Sequence, residues 1–375
     1  MNVCIDTRVL KPGDVFIPIK GPQFDGHDFI DEAIRKGASQ ILDVDIGAYA
    51  RQYRKKLRCS VIAITGSAGK TTAKELLSAV LSVKYRVVSN FKNFNNEIGV
   101  PFTVLQADGQ TDILIVEMGM RGRGEIAELT QIARPTHSVV TNIGWSHVER
   151  LRTQRNIALA KSEIFRVPLK WETSDRFAYV MHGTPYYDLL AKRAQGVGYK
   201  LFPYGGQTRP DEVVNLCYLI GQHFGLTPTE IGLGIARYKS IDHRLAVSSL
   251  REGVLIDDTY NANPDGYEYA FQVMGQYRGR RIVVMGDMLE LGDHSDRLHQ
   301  WVADQARNYG VSHVITYGDY SQRVRTPLRF AHAHQLSDIV PHLQAVYQPG
   351  DVILIKGSRG LALETVVSAC VSLWA

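Results

Sequence analysis

Residues 61–72, VIAITGSAGKTT, bring together the residue types that a bound phosphate needs. Gly66 and Gly69 let the backbone turn its N–H groups toward phosphate oxygens at the positive end of a following helix. Lys70 adds a mobile cation for the outer phosphates, and a hydroxyl from Thr71 or Thr72 can reach a magnesium ion. The strict nucleotide-loop spacing asks for glycine where Ile64 stands, so a plain glycine turn is the competing reading. A metal-bound triphosphate also requires a carboxylate at the end of a neighbouring strand, and Glu117 closes the apolar run DILIVE. His147, in TNIGWSHVER, again follows a strand, although a lone histidine is usually a satisfied structural residue. By spacing alone, Lys161 in NIALAKSEIF is one more helix-face lysine. Asn93, Asn95 and Asn96 form a polar cluster ahead of a helix, equally readable as capping residues. In IDDTYNANPDG, Asp257 and Asp258 end a strand and an Asn-Pro opens a helix: a functional loop, or a tight turn with good caps.

The elements that must position these residues alternate. From Cys59 onward, short apolar runs (VIAIT, YRVVSN, DILIVEMG, HSVVTNIG) are separated by helical stretches such as AKELLSAVLSVK and GEIAELTQIAR. That pattern predicts a parallel sheet with helices on both faces. A strand at FAYVMH and a helix at DEVVNLCYLIGQHFG continue it, and GYKLFPYGGQTRPD reads as loop. A second alternating block begins near His243: GVLIDDTY, RRIVVMGD, VSHVITYG and DVILIKGS read as strands, with helices between and after them. Ahead of both, residues up to about 57 read as a small α/β unit of strand (DVFIPIK), helix (FIDEAIRKG) and strand (SQILDV). The expected fold is therefore α/β in three domains, at 1–57, 58–242 and 243–375.

Composition narrows the classes. A chain of 375 residues with 45% hydrophobic and 22% charged content can bury more than one core. The net charge of +5 suits an anionic small substrate, and no basic stripe with interleaved aromatics marks a nucleic-acid binder. The four cysteines are far apart and unpaired in spacing, which predicts reduced thiols, with neither a disulfide framework nor a zinc site. No apolar run approaches the ~18 residues of a membrane span, and the amino-terminal text does not read as a signal peptide. The expected location is the cytoplasm.

GSAGKTT, NFNNEIGVP, VEMGMRGRGEI, TNIGWSHVE, AKSEIF, HR, DDTYNANPDG, GDMLELG and KGSRGLALE occur in the order found in the Mur ligases, which this chain resembles along nearly its whole length. The amino-terminal DTRVLKPGD and FDGHDF text, with DDTYNANP and GDMLELG, is most similar to the branch that joins D-Ala-D-Ala to UDP-N-acetylmuramoyl-tripeptide. That resemblance implies a UDP-substrate domain, a central P-loop ATPase domain and a carboxy-terminal Rossmann-like domain. It implies ATP and Mg²⁺, and a monomer. The phosphate loop would comprise Gly66, Ser67, Ala68, Gly69, Lys70, Thr71 and Thr72. Thr71, Glu117, His147 and a carbamylated Lys161 would hold metal, with Lys70, His147 and Lys161 the catalytic set. Asn215, Arg244, Asp258 and Asn261 would contact ATP. Asp6, Thr7, Arg8, Lys20, Phe24, Asp25, Gly26 and His27 would receive the UDP end, while Asn95, Asn96 and Asn263 would face the remaining substrate.

The chemistry so implied is attack of a carboxylate on the γ-phosphoryl group, then attack of an amine on the acyl phosphate. Against the family pattern, the first domain and the stretch between Lys161 and His243 are short, and the adenine-side His-Asn-x-x-Asn text is reduced to DEVVN. A related ligase with another acceptor or amine, and a non-catalytic nucleotide-binding homologue, are the alternatives.

Overall fold

In the computed structural model, residues 2–21, 24–91, 94–166, 175–238 and 243–374 are described. Asn93 and the expected domain boundary at 242 lie outside them. Three sheets follow one another along the chain. The first is small and parallel: β1 (Val3–Cys4), β2 (Val15–Phe16) and β3 (Gln40–Ile41) pair in sequence order.

The second sheet contains β4 (Ser60–Thr65), β5 (Val87–Ser89), β6 (Ile113–Glu117), β7 (His137–Val140), β8 (Phe177–Met181) and β9 (Lys200–Tyr204). Its spatial order is β5-β6-β4-β7-β8-β9, parallel throughout. The continuous apolar runs of the sequence are explained by burial on both faces. Along β4, Val61 and Ala63 join the cluster that holds Val104, Ile126 and Ile157, while Ile62 and Ile64 join the one that holds Leu77, Leu216 and Ile231. The strand order reverses at β4, where a crevice opens at the carboxyl ends of β4, β6 and β7.

The third sheet has β10 (Ala246–Ser249), β11 (Val254–Asp258), β12 (Arg281–Gly286), β13 (Val311–Tyr317), β14 (Arg329–Ala333) and β15 (Val352–Lys356), in the order β10-β11-β15-β12-β13-β14. Only β10, at the edge, runs antiparallel. The register pairs Asp258 with Lys356, so β11 and β15 end side by side.

The α/β class and parallel sheets match expectation, and the differences lie at edges. KLFPY, read as loop, is the edge strand β9, where Pro203 removes a donor that an outer strand can spare. β10 and β14 were not anticipated, because half-exposed edge strands carry little apolar signal. The run IGAYARQYR, for which the sequence pattern predicts no element, is a helix (Ile46–Arg54) capped by the Asp45 side chain on Ala48 N–H. It carries a buried arginine: Arg54 donates to the carbonyls of Ala133, Leu57 and Cys59 at 2.8, 2.8 and 3.3 Å. Ile46 and Ala50 belong to the same core cluster as Val104, Ile126 and Ile157. All four cysteines are buried with free thiols. No helix among the described residues is long and apolar enough to cross a membrane.

Candidate active site

The loop after β4 is built for close approach. A Cβ on Gly66 would lie 1.8 Å from Thr141 Oγ1 of the neighbouring turn, so only glycine fits. Gly69 takes a left-handed φ of 75° and opens the helix Lys70–Leu81. The backbone N–H groups of Ser67 and Ala68 both donate to Asn142 Oδ1, at 3.0 and 2.8 Å, which fixes the loop against the end of β7. The first bond back into the helix runs from Ala73 N to Gly69 O, at 2.9 Å. The amides of Lys70, Thr71 and Thr72 thus belong to the open helix start, where an anion is favoured.

Two lysines converge on one carbonyl. Lys70 Nζ donates to Gly66 O at 2.7 Å, and Lys161 Nζ donates to the same oxygen at 2.8 Å. Lys161, read from spacing as a helix-face lysine, is only 1% exposed. Burial and the neighbouring Lys70 charge push its pKa well below the ordinary lysine value, with Asp265 acting weakly in the other direction. The Lys70 ammonium is pushed down by burial too, opposed first by Glu117.

Glu117, at the end of β6, is 1% exposed. Its Oε1 accepts from Asn95 Nδ2 at 2.7 Å, while Oε2 is buried without a hydrogen-bond partner among the described residues. A buried carboxylate oxygen left orphaned beside a phosphate loop fits a cation. Asn96 meets the capping expectation: its Oδ1 accepts from Gly99 N at 3.0 Å, at the start of the helix Gly99–Gln106, and it lines the cleft as well. His147 sits in the left-handed region, φ 61°, and its Nδ1 lies 2.8 Å from Glu290 Oε2 of the third sheet's β12 loop. That hydrogen bond holds the Glu290 carboxyl below its usual range. No group of three or more His, Cys, Asp or Glu among the described residues could hold a metal by itself. A cation here would need the Thr71 hydroxyl and phosphate oxygens in addition to side-chain carboxylate and imidazole.

The third sheet closes the cleft from the other side. Lys356, 3% exposed, pairs with Asp258 and donates to Asn261 O at 2.8 Å. Asn263 caps the helix Pro264–Met274 through Gly266 N, at 2.7 Å, and its Nδ2 reaches Ser67 O at 3.3 Å. Asp265 accepts from Trp145 N at 3.0 Å. Arg244 sits over the Tyr260 ring, with Cζ 3.8 Å from the ring centre. The DDTYNANP text is therefore both turn chemistry and cleft wall.

The resulting cleft of about 530 Å³ is lined by every phosphate-loop residue from Ser67 to Thr72, and by Asn95, Asn96, Glu117, His147, Arg244, Asp258, Asn261 and Asn263. Lys161 and Gly66 stand just behind that lining. A small recess beside it is bounded by Ala68, Thr141, Tyr204, Val213 and Leu216. Asn215 is outside both linings, and its Nδ2 donates to Gly205 O at 2.6 Å. Asp6, Thr7, Arg8, Lys20, Phe24, Asp25, Gly26 and His27 lie on the first unit, outside the cleft lining, with Thr7 and Gly26 buried. There Asp6 pairs with Arg8 at 2.7 Å, Asp25 with Lys20 at 3.3 Å, and His27 bridges Asp25 and Asp43. Asn142, Glu290 and Lys356 lay inside the quoted text TNIG, GDMLELG and KGSRG, but no chemical pattern singled them out.

Family models described as Mur ligase middle domain, Mur ligase glutamate ligase domain and Mur ligase family catalytic domain match residues 64–224, 243–359 and 1–89. Among curated proteins, the chain is 32% identical to the UDP-N-acetylmuramoyl-tripeptide--D-alanyl-D-alanine ligase of Bacillus subtilis, over 98% of this chain and 92% of that protein. It is 31% identical to the Escherichia coli ligase of the same name, over 98% and 93%. Among solved structures, MurF from Acinetobacter baumannii superposes with a TM-score of 0.86 at 24% identity, covering 99% of this chain and 93% of that one. MurF ligase from Thermotoga maritima in complex with ADP gives 0.85 at 24%, covering 99% and 97%. The chain belongs to the Mur ligase family.

Proposed function

We propose that this chain is the ATP-dependent, ADP-forming ligase that adds D-Ala-D-Ala to UDP-N-acetylmuramoyl-tripeptide in peptidoglycan precursor synthesis. The observation that carries the reading is the convergence of Lys70 and the buried Lys161 on Gly66 O, beside the orphaned Glu117 oxygen. A phosphate loop alone needs one lysine. A second, buried and biased toward its neutral amine, suits capture of CO₂ as a carbamate, an anion that can help hold metal where an ammonium would repel it.

In this reading the open amides at Lys70, Thr71 and Thr72 hold the outer phosphates, and Lys70 follows the charge that develops on the transferred group. Thr71, Glu117, His147 and carbamylated Lys161 would hold Mg²⁺. Bound there, Mg²⁺ would screen the repulsion between an incoming carboxylate and the triphosphate. The acceptor carboxylate attacks the γ-phosphorus and ADP departs. The dipeptide amine then attacks the acyl carbon, and the tetrahedral intermediate expels phosphate. Asn95, Asn96 and Asn263 orient the two substrates at the cleft, while Arg244, Asp258 and Asn261 border the nucleotide. The adenine is assigned to the recess beside Tyr204, Val213 and Leu216, the last two on the same helix as Asn215. The UDP end is assigned to the first-unit residues Asp6, Thr7, Arg8, Lys20, Phe24, Asp25, Gly26 and His27. Three domains, divided near residues 57 and 242, a monomeric state and a cytoplasmic location belong to the same proposal.

The test is phosphate release by the purified chain with Mg-ATP, UDP-N-acetylmuramoyl-tripeptide and D-Ala-D-Ala, each omitted in turn. The expected result is release that requires all three, with the UDP-pentapeptide found by mass. ATP binding without release in the full mixture would overturn it.

A further inference from the structure

The loop after β12 reaches across to the turn after β7, at the residue expected to bind metal. Glu290 Oε2 meets His147 Nδ1 at 2.8 Å, and Glu290 O accepts from Glu149 N at 3.3 Å. The same contact continues outward, with Trp145 and His294 rings 5.7 Å apart and the Arg297 guanidinium 4.8 Å over Trp145. Both central residues are non-glycine residues in the left-handed region, at φ 61° for His147 and 66° for Glu290. Two left-handed backbone positions, in the loops after β7 and β12, face each other across one 2.8 Å contact, and such positions cluster at constrained functional sites. A surface ion pair would need neither.

The chemistry of the contact is directional. A carboxylate can only accept, so Nδ1 must carry the proton, and in a neutral imidazole Nε2 is then left with the lone pair. Histidines that bind metal are commonly oriented in this way by a carboxylate on the other nitrogen. We propose that Glu290 is a positioning residue which, on the ligase reading above, fixes His147 as the Nδ1–H tautomer and makes its Nε2 available as a ligand only when the third sheet is docked on the second. Closure of the cleft and completion of the cation site would then be one event. A chain open at this contact would hold nucleotide on the phosphate loop but lack a fully oriented ligand set.

The test uses full-length chain labelled with ¹⁵N-histidine, in the presence of a non-hydrolysable ATP analogue, with His147→Gln to assign the resonance. Long-range ¹H–¹⁵N spectra should show His147 as Nδ1–H in the wild type and in Glu290→Gln, whose amide oxygen still accepts. Glu290→Leu should shift it toward Nε2–H. In turnover, Glu290→Leu should lower kcat by about 10- to 100-fold with the ATP KM nearly unchanged, and Glu290→Gln should recover most of it. An unchanged tautomer in Glu290→Leu would overturn the proposal. So would a Gln variant as impaired as the Leu variant, which would mark a charge pair, or a loss confined to KM. A wild type that forms no amide would sink the ligase reading, while the spectra would still decide whether Glu290 sets the tautomer.

Discussion

At the scale of single residues, the site is defined by groups whose environment contradicts their ordinary chemistry. Lys161 has an ammonium's side chain in a place that disfavours an ammonium, and Glu117 has a carboxylate oxygen with nothing to accept from among the described residues. Neither fact was visible in the sequence. Lys161 sits in NIALAKSEIF like any solvent-facing lysine, because helical spacing reports a face and not what covers it. Its covering is the phosphate-loop carbonyl of Gly66, 95 residues earlier in the chain. Lys161→Ala is expected to reduce kcat by on the order of 100-fold while nucleotide affinity, measured by titration with ATP, stays close to wild type. Loss of nucleotide affinity in parallel would instead make Lys161 a loop support.

At the scale of elements, central strands were legible, as were the edge strands β3 and β5, but the edge strands β9, β10 and β14 were not. The runs VIAIT, DILIVEMG and HSVVTNIG are buried on both faces and announce themselves as apolar blocks, whereas KLFPY and FAHA lie at sheet margins and mix polar with apolar residues. The packing of β7 and β8 also gives a stability prediction. His137, on β7, is 6% exposed and lies against Phe177, with ring centres 4.9 Å apart, and near His223. Burial lowers its pKa to about 3. The native state therefore refuses a proton that the unfolded chain accepts below about pH 6.5. Stability from this group is intact above that pH and is lost as pH falls toward 3, by ~1.4 kcal/mol for each pH unit. His137→Phe is expected to flatten the midpoint temperature between pH 6.5 and pH 4 in thermal melts. An equally steep acid dependence in the variant would assign the loss to other groups.

At the scale of the molecule, function depends on two sheets presenting their carboxyl ends to one cleft. β4, β6 and β7 bring the phosphate loop, Glu117 and the His147 turn; β11, β12 and β15 bring Asp258, Glu290 and Lys356. Contacts from Asn263 to Ser67, Asp265 to Trp145 and Glu290 to His147 hold the two together. Motif order alone was enough to identify the family, and most of its motifs, GSAGKTT, VEMG, TNIG, DDTYNANP, GDMLELG and KGSRG, lie at the strand ends where this topology gathers its chemistry. Which strand ends meet was not readable, because that depends on how one sheet docks on another. On the ligase reading the cleft makes an acyl phosphate. The most direct measurement uses UDP-N-acetylmuramoyl-tripeptide labelled with ¹⁸O in the reacting carboxylate, turned over with ATP and D-Ala-D-Ala. One ¹⁸O atom is expected in the inorganic phosphate released, because the attacking carboxylate oxygen leaves with phosphorus. Amide product accompanied by unlabelled phosphate would contradict it.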